Sequence, residues 1–211
     1  MTSDLSDSPE GWTVLGSRDL YRGDWVMALR ADRVRRPGAD AEEPFERWVF
    51  EHPGAVVVLA VDADERVCCL RQYRHPAGGR FVELPAGLRD AADEDPLETA
   101  QRELREEAEL EAGEWRVLFD LYPSAGITDE RQVCYLARDL RPVSRGDFAL
   151  EHEEADMERL WVPVDDLVDA VLAGRVSESP IAACALAYVV LRQRGELATP
   201  ASWTHDPERH D

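Results

Sequence analysis

Two periodicities of apolar residues alternate along the chain. From Trp12 to His52 apolar and polar residues alternate in short runs, Trp12–Leu15, Trp25–Arg35 and Glu46–Glu51, punctuated by Gly23 and Pro37-Gly38. That period of two predicts a small antiparallel sheet. Pro53-Gly54 breaks the chain, and Ala55–Val61 is then continuously apolar and rich in β-branched residues, which predicts a buried central strand. A turn over Asp62–Glu65 leads to a returning strand at Val67–Tyr73, and Phe81–Leu84 forms another before the break at Pro85-Ala86-Gly87. The pattern then changes to a helical one. Asp95 is a good N-cap, Pro96 suits the first helical position and Glu98 completes a capping box, so a helix is predicted from Pro96 to about Leu110. Strands at Trp115–Leu121 and Gln132–Ala137 follow, then an acidic loop over residues 141–157 and a strand at Arg159–Pro163. An amphipathic helix over Asp165–Ala173 stops at Gly174, and an apolar helix over Pro180–Arg194 is closed by Gly195. Residues 1–10 and the tail from Glu196 read as irregular.

Composition narrows the class. A chain of 211 residues with 44% hydrophobic content is long enough for one domain with an extension, or two small domains, around a real core. A formal charge of −20 argues against a nucleic-acid polymer or an anionic membrane as partner. All 24 basic residues are arginine, and lysine and asparagine are absent; codon bias in a GC-rich genome accounts for this, so no single arginine is functional by default. Cys68, Cys69, Cys134 and Cys184 make no CxxC pair and read as small buried hydrophobes of a reducing compartment. No apolar run follows a basic start, and the apolar stretch Ile181–Leu191 is only 11 residues long, so neither signal peptide nor membrane span is expected and the reading is cytoplasmic.

The chemistry concentrates between Gly87 and Leu110. On the predicted helix, Glu103, Glu106 and Glu107 fall within one arc of about 100°. Leu97, Ala100, Leu104 and Ala108 occupy the adjacent arc and pack inward. Like charges at such spacings cost ~0.2–0.5 kcal/mol per pair when nothing neutralises them. Three hard oxygen donors on one rigid helix suit Mg²⁺ or Mn²⁺, with water and phosphate oxygens completing the shell. The plainer alternative is a solvated acidic face paired with Arg102 and Arg105.

The segment resembles the signature of the Nudix hydrolases. Glu94 and Arg102 have the required seven residues between them, Arg102-Glu103-Leu104-Arg105-Glu106-Glu107 matches the core, and Leu110 matches the last position. There are two departures: six residues rather than five separate Gly87 from Glu94, and Glu109 stands where the family has glycine, which is expected to lengthen or reshape the helix end. The resemblance implies an α/β fold, a Nudix α/β/α sandwich with a mixed sheet over residues 53–211, preceded by a small antiparallel β extension over residues 1–52. Carried over position by position, it makes Glu103 and Glu107 direct metal ligands and Glu106 a direct or water-mediated one. The carbonyl of Ala86 completes the site, Arg102 orients the glutamates and Glu94 braces the loop. In the family, the metal bridges a diphosphate and activates the water that cleaves it.

Flanking segments are similar to those of the ADP-ribose pyrophosphatases: Tyr73-Arg74-His75, Glu83-Leu84-Pro85-Ala86-Gly87, and Pro123-Ser124-Ala125-Gly126-Ile127-Thr128-Asp129-Glu130. Ala125 replaces the marker proline of that group and Ile127 its aromatic. The implied reaction is cleavage of ADP-ribose to AMP and ribose 5-phosphate; the alternatives are another nucleotide sugar or dinucleotide diphosphate, or a Nudix module that senses ADP-ribose without turnover. The resemblance also implies a homodimer in which the N-terminal sheet completes the partner's pocket. It points to Arg47 and Glu51 as adenine contacts, with Trp48 either stacking on the base or packing. Arg74 meets the diphosphate or forms a surface ion pair. The base comes from the acidic loop, Glu154 first and Glu153 second, with His152 at the surface.

Overall fold

The computed structural model describes residues 5–8, 10–39, 42–90, 94–150 and 155–198. Glu153, Glu154 and His152 lie outside the described residues. The chain divides into two units, one running up to His52 and including Ser124–Asp129, the other comprising Pro53–Pro123 and the described residues from Glu130 to Ala198.

The first unit is a three-stranded antiparallel sheet in the order β1 (Thr13–Arg22), β2 (Ala28–Arg35), β3 (Phe45–Glu51). β1 extends well past Leu15, because Ser17 and Asp19 pair with Asp32 and Arg30 across the ladder. Register shifts between Val14 and Gly16 and between Asp19 and Tyr21 interrupt its alternation, which hid its length in the sequence. Ser124–Asp129 joins this unit through backbone: the Phe50 N–H donates to the Ile127 carbonyl at 2.8 Å, and the Thr128 hydroxyl donates to the Phe50 carbonyl at 2.8 Å.

The second unit is built on β4 (Ala55–Ala60), buried at every residue as its unbroken apolar run predicts. β4 lies between β7 (Ala86–Leu88), antiparallel, and β9 (Gln132–Pro142), parallel, in a mixed sheet completed by β8 (Leu110–Leu121). A smaller antiparallel sheet has the order β10 (Glu158–Pro163), β5 (Arg66–Arg74), β6 (Gly79–Glu83). Three helices complete the unit: α1 (Pro96–Ala108), α2 (Val164–Leu172) and α3 (Ser179–Gln193). Alternation along β4 separates two cores. Val56, Val58 and Ala60 pack with Ala100, Leu104 and Ala108 of α1. Val57 and Leu59 pack with Val164 and Leu167 of α2 and with Ile181, Cys184, Ala185 and Tyr188 of α3. Helices therefore cover both faces of a mixed sheet, which is the expected α/β/α sandwich.

The structure differs from the sequence reading at several borders. Pro85-Ala86-Gly87 is more than a turn, since Ala86–Leu88 pairs with β4. β8 and β9 run further than 115–121 and 132–137: the ladder continues through the cross-strand neighbours Glu114 with Arg138 and Glu111 with Arg141. All four cysteines are free and buried. Among the described residues, no helix is long and apolar enough to cross a membrane.

The end of α1 shows what Glu109 does. The helix stops at Ala108 and is not lengthened. Glu109 itself takes the left-handed conformation, φ 53° and ψ 43°, that a glycine would adopt freely, while its N–H closes on the Arg105 carbonyl at 3.0 Å. Its carboxylate lies 3.3 Å from the Arg145 guanidinium, a partly exposed pair worth little. Glu109→Gly is therefore expected to stabilise the fold by about 0.5–1 kcal/mol, measured by urea unfolding.

Candidate active site

Asp95 starts α1 by accepting the Leu97 N–H at 2.8 Å, with Pro96 at the first helical position. With Leu104 and Ala108 fully buried against the sheet, the carboxylate edge of the helix is pressed onto β7. Glu107 accepts the Ala86 N–H at 2.9 Å and is itself buried, 8% exposed. Glu103 rests on Gly87: a Cβ there would stand 2.0 Å from the carboxylate Oε1, so only glycine lets the strand backbone approach. Two of the predicted ligands are thus held against the two β7 residues that the resemblance singles out.

Arg102 is the counter-ion. Its guanidinium donates to Glu103 at 2.7 Å and to Glu106 at 3.2 Å, and lies 3.5 Å from Glu94. Burial disfavours its charge, but Glu103, Glu94 and Glu106 outweigh this and raise its pKa above the ordinary arginine value. Glu94 accepts the Thr99 hydroxyl at 2.9 Å, and this bond, with Arg102, holds its carboxyl below the usual range. Glu94 therefore ties the segment before α1 to the helix, the bracing role expected of it. Arg105, the other cation of the solvated-face alternative, forms no ion pair among the described residues.

Arg74 meets a carboxylate. Its Nε donates to both Glu83 oxygens at 3.1 Å and a terminal nitrogen donates to one of them at 2.7 Å, while the Gln72 amide donates to Glu83 at 2.9 Å. Burial opposes the Arg74 charge, and Glu83, Glu107 and Glu178 sustain it, raising its pKa. Glu178 is the N-cap of α3 and accepts the Ile181 N–H at 2.9 Å. Burial pushes its carboxyl up to about 7, aided by Glu83 and Glu130 and opposed by the Ile181 N–H and Arg74. Neither Glu83 nor Glu178 was assigned a role from sequence. Glu83 stands in the segment Glu83-Leu84-Pro85-Ala86-Gly87, but only the cross-strand register reveals its partner; Glu178 lies just before the predicted helix over Pro180–Arg194 and was not singled out.

Arg47 and Glu51 are in the other unit, four residues apart on β3. Arg47 is exposed and lies over the Phe45 ring at 4.5 Å. Glu51 is engaged by Arg22 at 2.6 Å and Arg30 at 2.7 Å, and these bonds, Arg30 first, lower its pKa. Trp48 is 56% exposed and donates its indole N–H to Glu46 at 2.9 Å, so it is not a packing residue within its own unit.

Glu103, Glu106, Glu107 and the Ala86 carbonyl are hard oxygen donors, the chemistry that Mg²⁺ or Mn²⁺ takes. Among the described residues no three such side chains converge closely enough to enclose an ion unaided. The set fits a cation that keeps waters and accepts substrate oxygens, rather than one fully caged by protein.

A model of the NUDIX domain matches residues 51–183. The ADP-ribose pyrophosphatase of Mycobacterium tuberculosis is 44% identical over 78% of this chain and 77% of its own. The ADP-ribose pyrophosphatase of Bacillus subtilis is 32% identical over 80% of this chain and 87% of its own. The crystal structure of an ADP compounds hydrolase covers 90% of this chain and 100% of its own with a TM-score of 0.71 at 19% identity, a likeness of fold.

Glu178 gives a pH signature. Its folded pKa of about 7 lies above the ordinary glutamate value of 4.5, so the folded state holds the proton more tightly and loses stability as pH rises between those values. Glu178→Gln keeps the Ile181 acceptor without the charge. Urea unfolding in EDTA is expected to show the variant gaining on wild type by about 1 kcal/mol at pH 8, after discounting for partial exposure, with the gain fading toward pH 4.5.

Proposed function

The chain belongs to the NUDIX family, and from that premise we propose that it is a Mg²⁺- or Mn²⁺-dependent hydrolase that cleaves the diphosphate of ADP-ribose to AMP and ribose 5-phosphate. The observation that carries this reading is the seating of Glu103 and Glu107 on Gly87 and Ala86 with Arg102 between Glu103 and Glu106. The choice of ADP-ribose is supported by the names of the relatives from M. tuberculosis and B. subtilis.

In this reading Glu103, Glu107, the Ala86 carbonyl and, directly or through water, Glu106 hold the cation. When bound, the cation neutralises the diphosphate and lowers the pKa of a coordinated water. Arg102 orients Glu103 and Glu106 by bonding both. Glu154, or Glu153 beside it, takes the proton of the attacking water. Glu83 takes the Arg74 Nε and one terminal nitrogen and so fixes its orientation, and the remaining terminal nitrogen is offered to the diphosphate. Arg47 and Glu51 select the adenine, with Trp48 offering a stacking face. The exposed apolar residues of the first unit, Val14 at 55%, Tyr21 at 66%, Trp25 at 63% and Trp48, suit a homodimer interface contributed by the N-terminal sheet.

The test is a substrate panel of ADP-ribose, ADP-mannose, GDP-mannose, NADH and diadenosine compounds with Mg²⁺ or Mn²⁺, following nucleotide release. ADP-ribose is expected to be cleaved fastest; no release from any diphosphate overturns the enzyme reading, and faster release from a non-adenine substrate overturns the assignment. Glu107→Gln is expected to lower kcat by about a thousandfold or more and to weaken metal affinity with it. Glu154→Gln is expected to lower kcat by about 10²–10⁴-fold while leaving ADP-ribose affinity intact; full activity in that variant shifts the base to Glu153.

A further inference from the structure

A second polar cavity lies on the far side of α1. Its volume is about 320 Å³, and it is lined by Gln101, Arg105, Glu111, Ala112, Gly113, Trp115 and Arg141. Gln101 and Arg105 are one helical turn apart, and their direction is about 170° around the helix from the mean direction of Glu103, Glu106 and Glu107. The cavity is therefore separate from the carboxylate edge.

Its walls are fixed on the strand side and open on the helix side. Trp115 is held by its indole N–H on the Ala112 carbonyl at 3.1 Å and by an edge-on contact with Tyr135 at 6.1 Å. Arg141 is held by Asp139 at 2.9 Å. That hold rests on unusual backbone: Asp139 has a left-handed φ of 54°, and a Cβ on the facing Gly113 would stand 2.2 Å from the Asp139 carboxylate. Opposite them, the side chains of Gln101 and Arg105 have no partner among the described residues. Arg105 and Arg141 line this cavity together with Glu111; Arg141 is paired with Asp139, and Arg105 has no ion-pair partner among the described residues.

We propose that this cavity is a second ligand site that takes a nucleoside monophosphate. The two guanidinium groups meet the phosphate, since arginine matches phosphate oxygens in shape and charge. The indole offers a stacking plane for the base. Glu111 and the Gln101 amide can accept from and donate to the edge of an aminopurine. A volume near 320 Å³ stands at the small end of the ~300–1,000 Å³ usual for small-molecule pockets.

The test is photolabelling of the full-length protein with 8-azidoadenosine 5′-monophosphate in EDTA, with peptide mapping by mass spectrometry. Without metal or turnover, the result does not depend on the hydrolase reading. Label is expected in the segment Glu111–Trp115, with protection by excess AMP. The double substitution Arg105→Gln with Arg141→Gln is expected to lower that label about tenfold or more. The same variant is expected to unfold in urea at close to the wild-type midpoint, which shows that it folds. Arg105→Lys, which keeps the charge, is expected to restore part of the label. Label elsewhere only, label unchanged in the double variant, or displacement by single-stranded RNA in preference to AMP overturns the proposal.

Discussion

The second unit is organised by the need to hold like charges together on one helix edge. Glu94, Glu103 and Glu106 crowd one guanidinium, that of Arg102, and Glu107 is buried beside them on a backbone N–H. Each like-charged pair opposes the helix by only ~0.2–0.5 kcal/mol at a surface, but burial raises the penalty because water no longer screens it. Arg102 answers the charge, and the β7 backbone answers the geometry. A three-residue strand can do so because β4 fixes it: Val57 pairs with Ala86 and Val56 with Gly87, while the Val58 N–H takes the Pro85 carbonyl at 2.8 Å. The buried apolar strand is thus what makes the acidic edge rigid.

That dependence explains which features could be read from the chain. The carboxylate arc was legible because helical period alone places Glu103, Glu106 and Glu107 together, and Arg102 falls within reach by the same spacing. The burial of β4 was legible in its unbroken apolar run, while the helices on both faces were implied by the family resemblance. β7 was not, since Ala86-Gly87-Leu88 has too little pattern to distinguish a strand from a turn, and its pairing is decided by β4. The ends of β8 and β9 were missed because charged residues there interrupt the apolar pattern and their pairing is decided across the hairpin. The Arg74–Glu83 pair and the Glu178 carboxyl depend on residues brought together from different elements, and no local pattern encodes such a meeting.

The first unit handles charge differently. Glu51 is shared by Arg22 and Arg30, and Arg30 also binds Asp32 at 3.0 Å. This network lies on a sheet whose first strand buries little within its own unit. Ion pairs at such exposure add little stability singly, so their effect is chiefly to fix side-chain direction. Glu51 is thereby held ionised and oriented, an acceptor whose position is set in advance. Arg47, over the Phe45 ring rather than on a carboxylate, keeps its hydrogen-bonding capacity available.

The net charge of −20 is then a problem the fold must solve locally. A diphosphate approaching the acidic edge of α1 is repelled, and Arg102 cannot relieve this because its charge is already committed to three glutamates. Arg74 shares its charge with Glu83 and relieves the repulsion only in part. The field near the helix must therefore be reversed by something the chain does not itself contain, and the hard oxygen donors of Glu103, Glu107 and Ala86 suit a divalent cation for that role. By contrast, the cavity behind α1 presents Arg105 without a carboxylate partner among the described residues, and the proposed phosphate contact rests on that arginine.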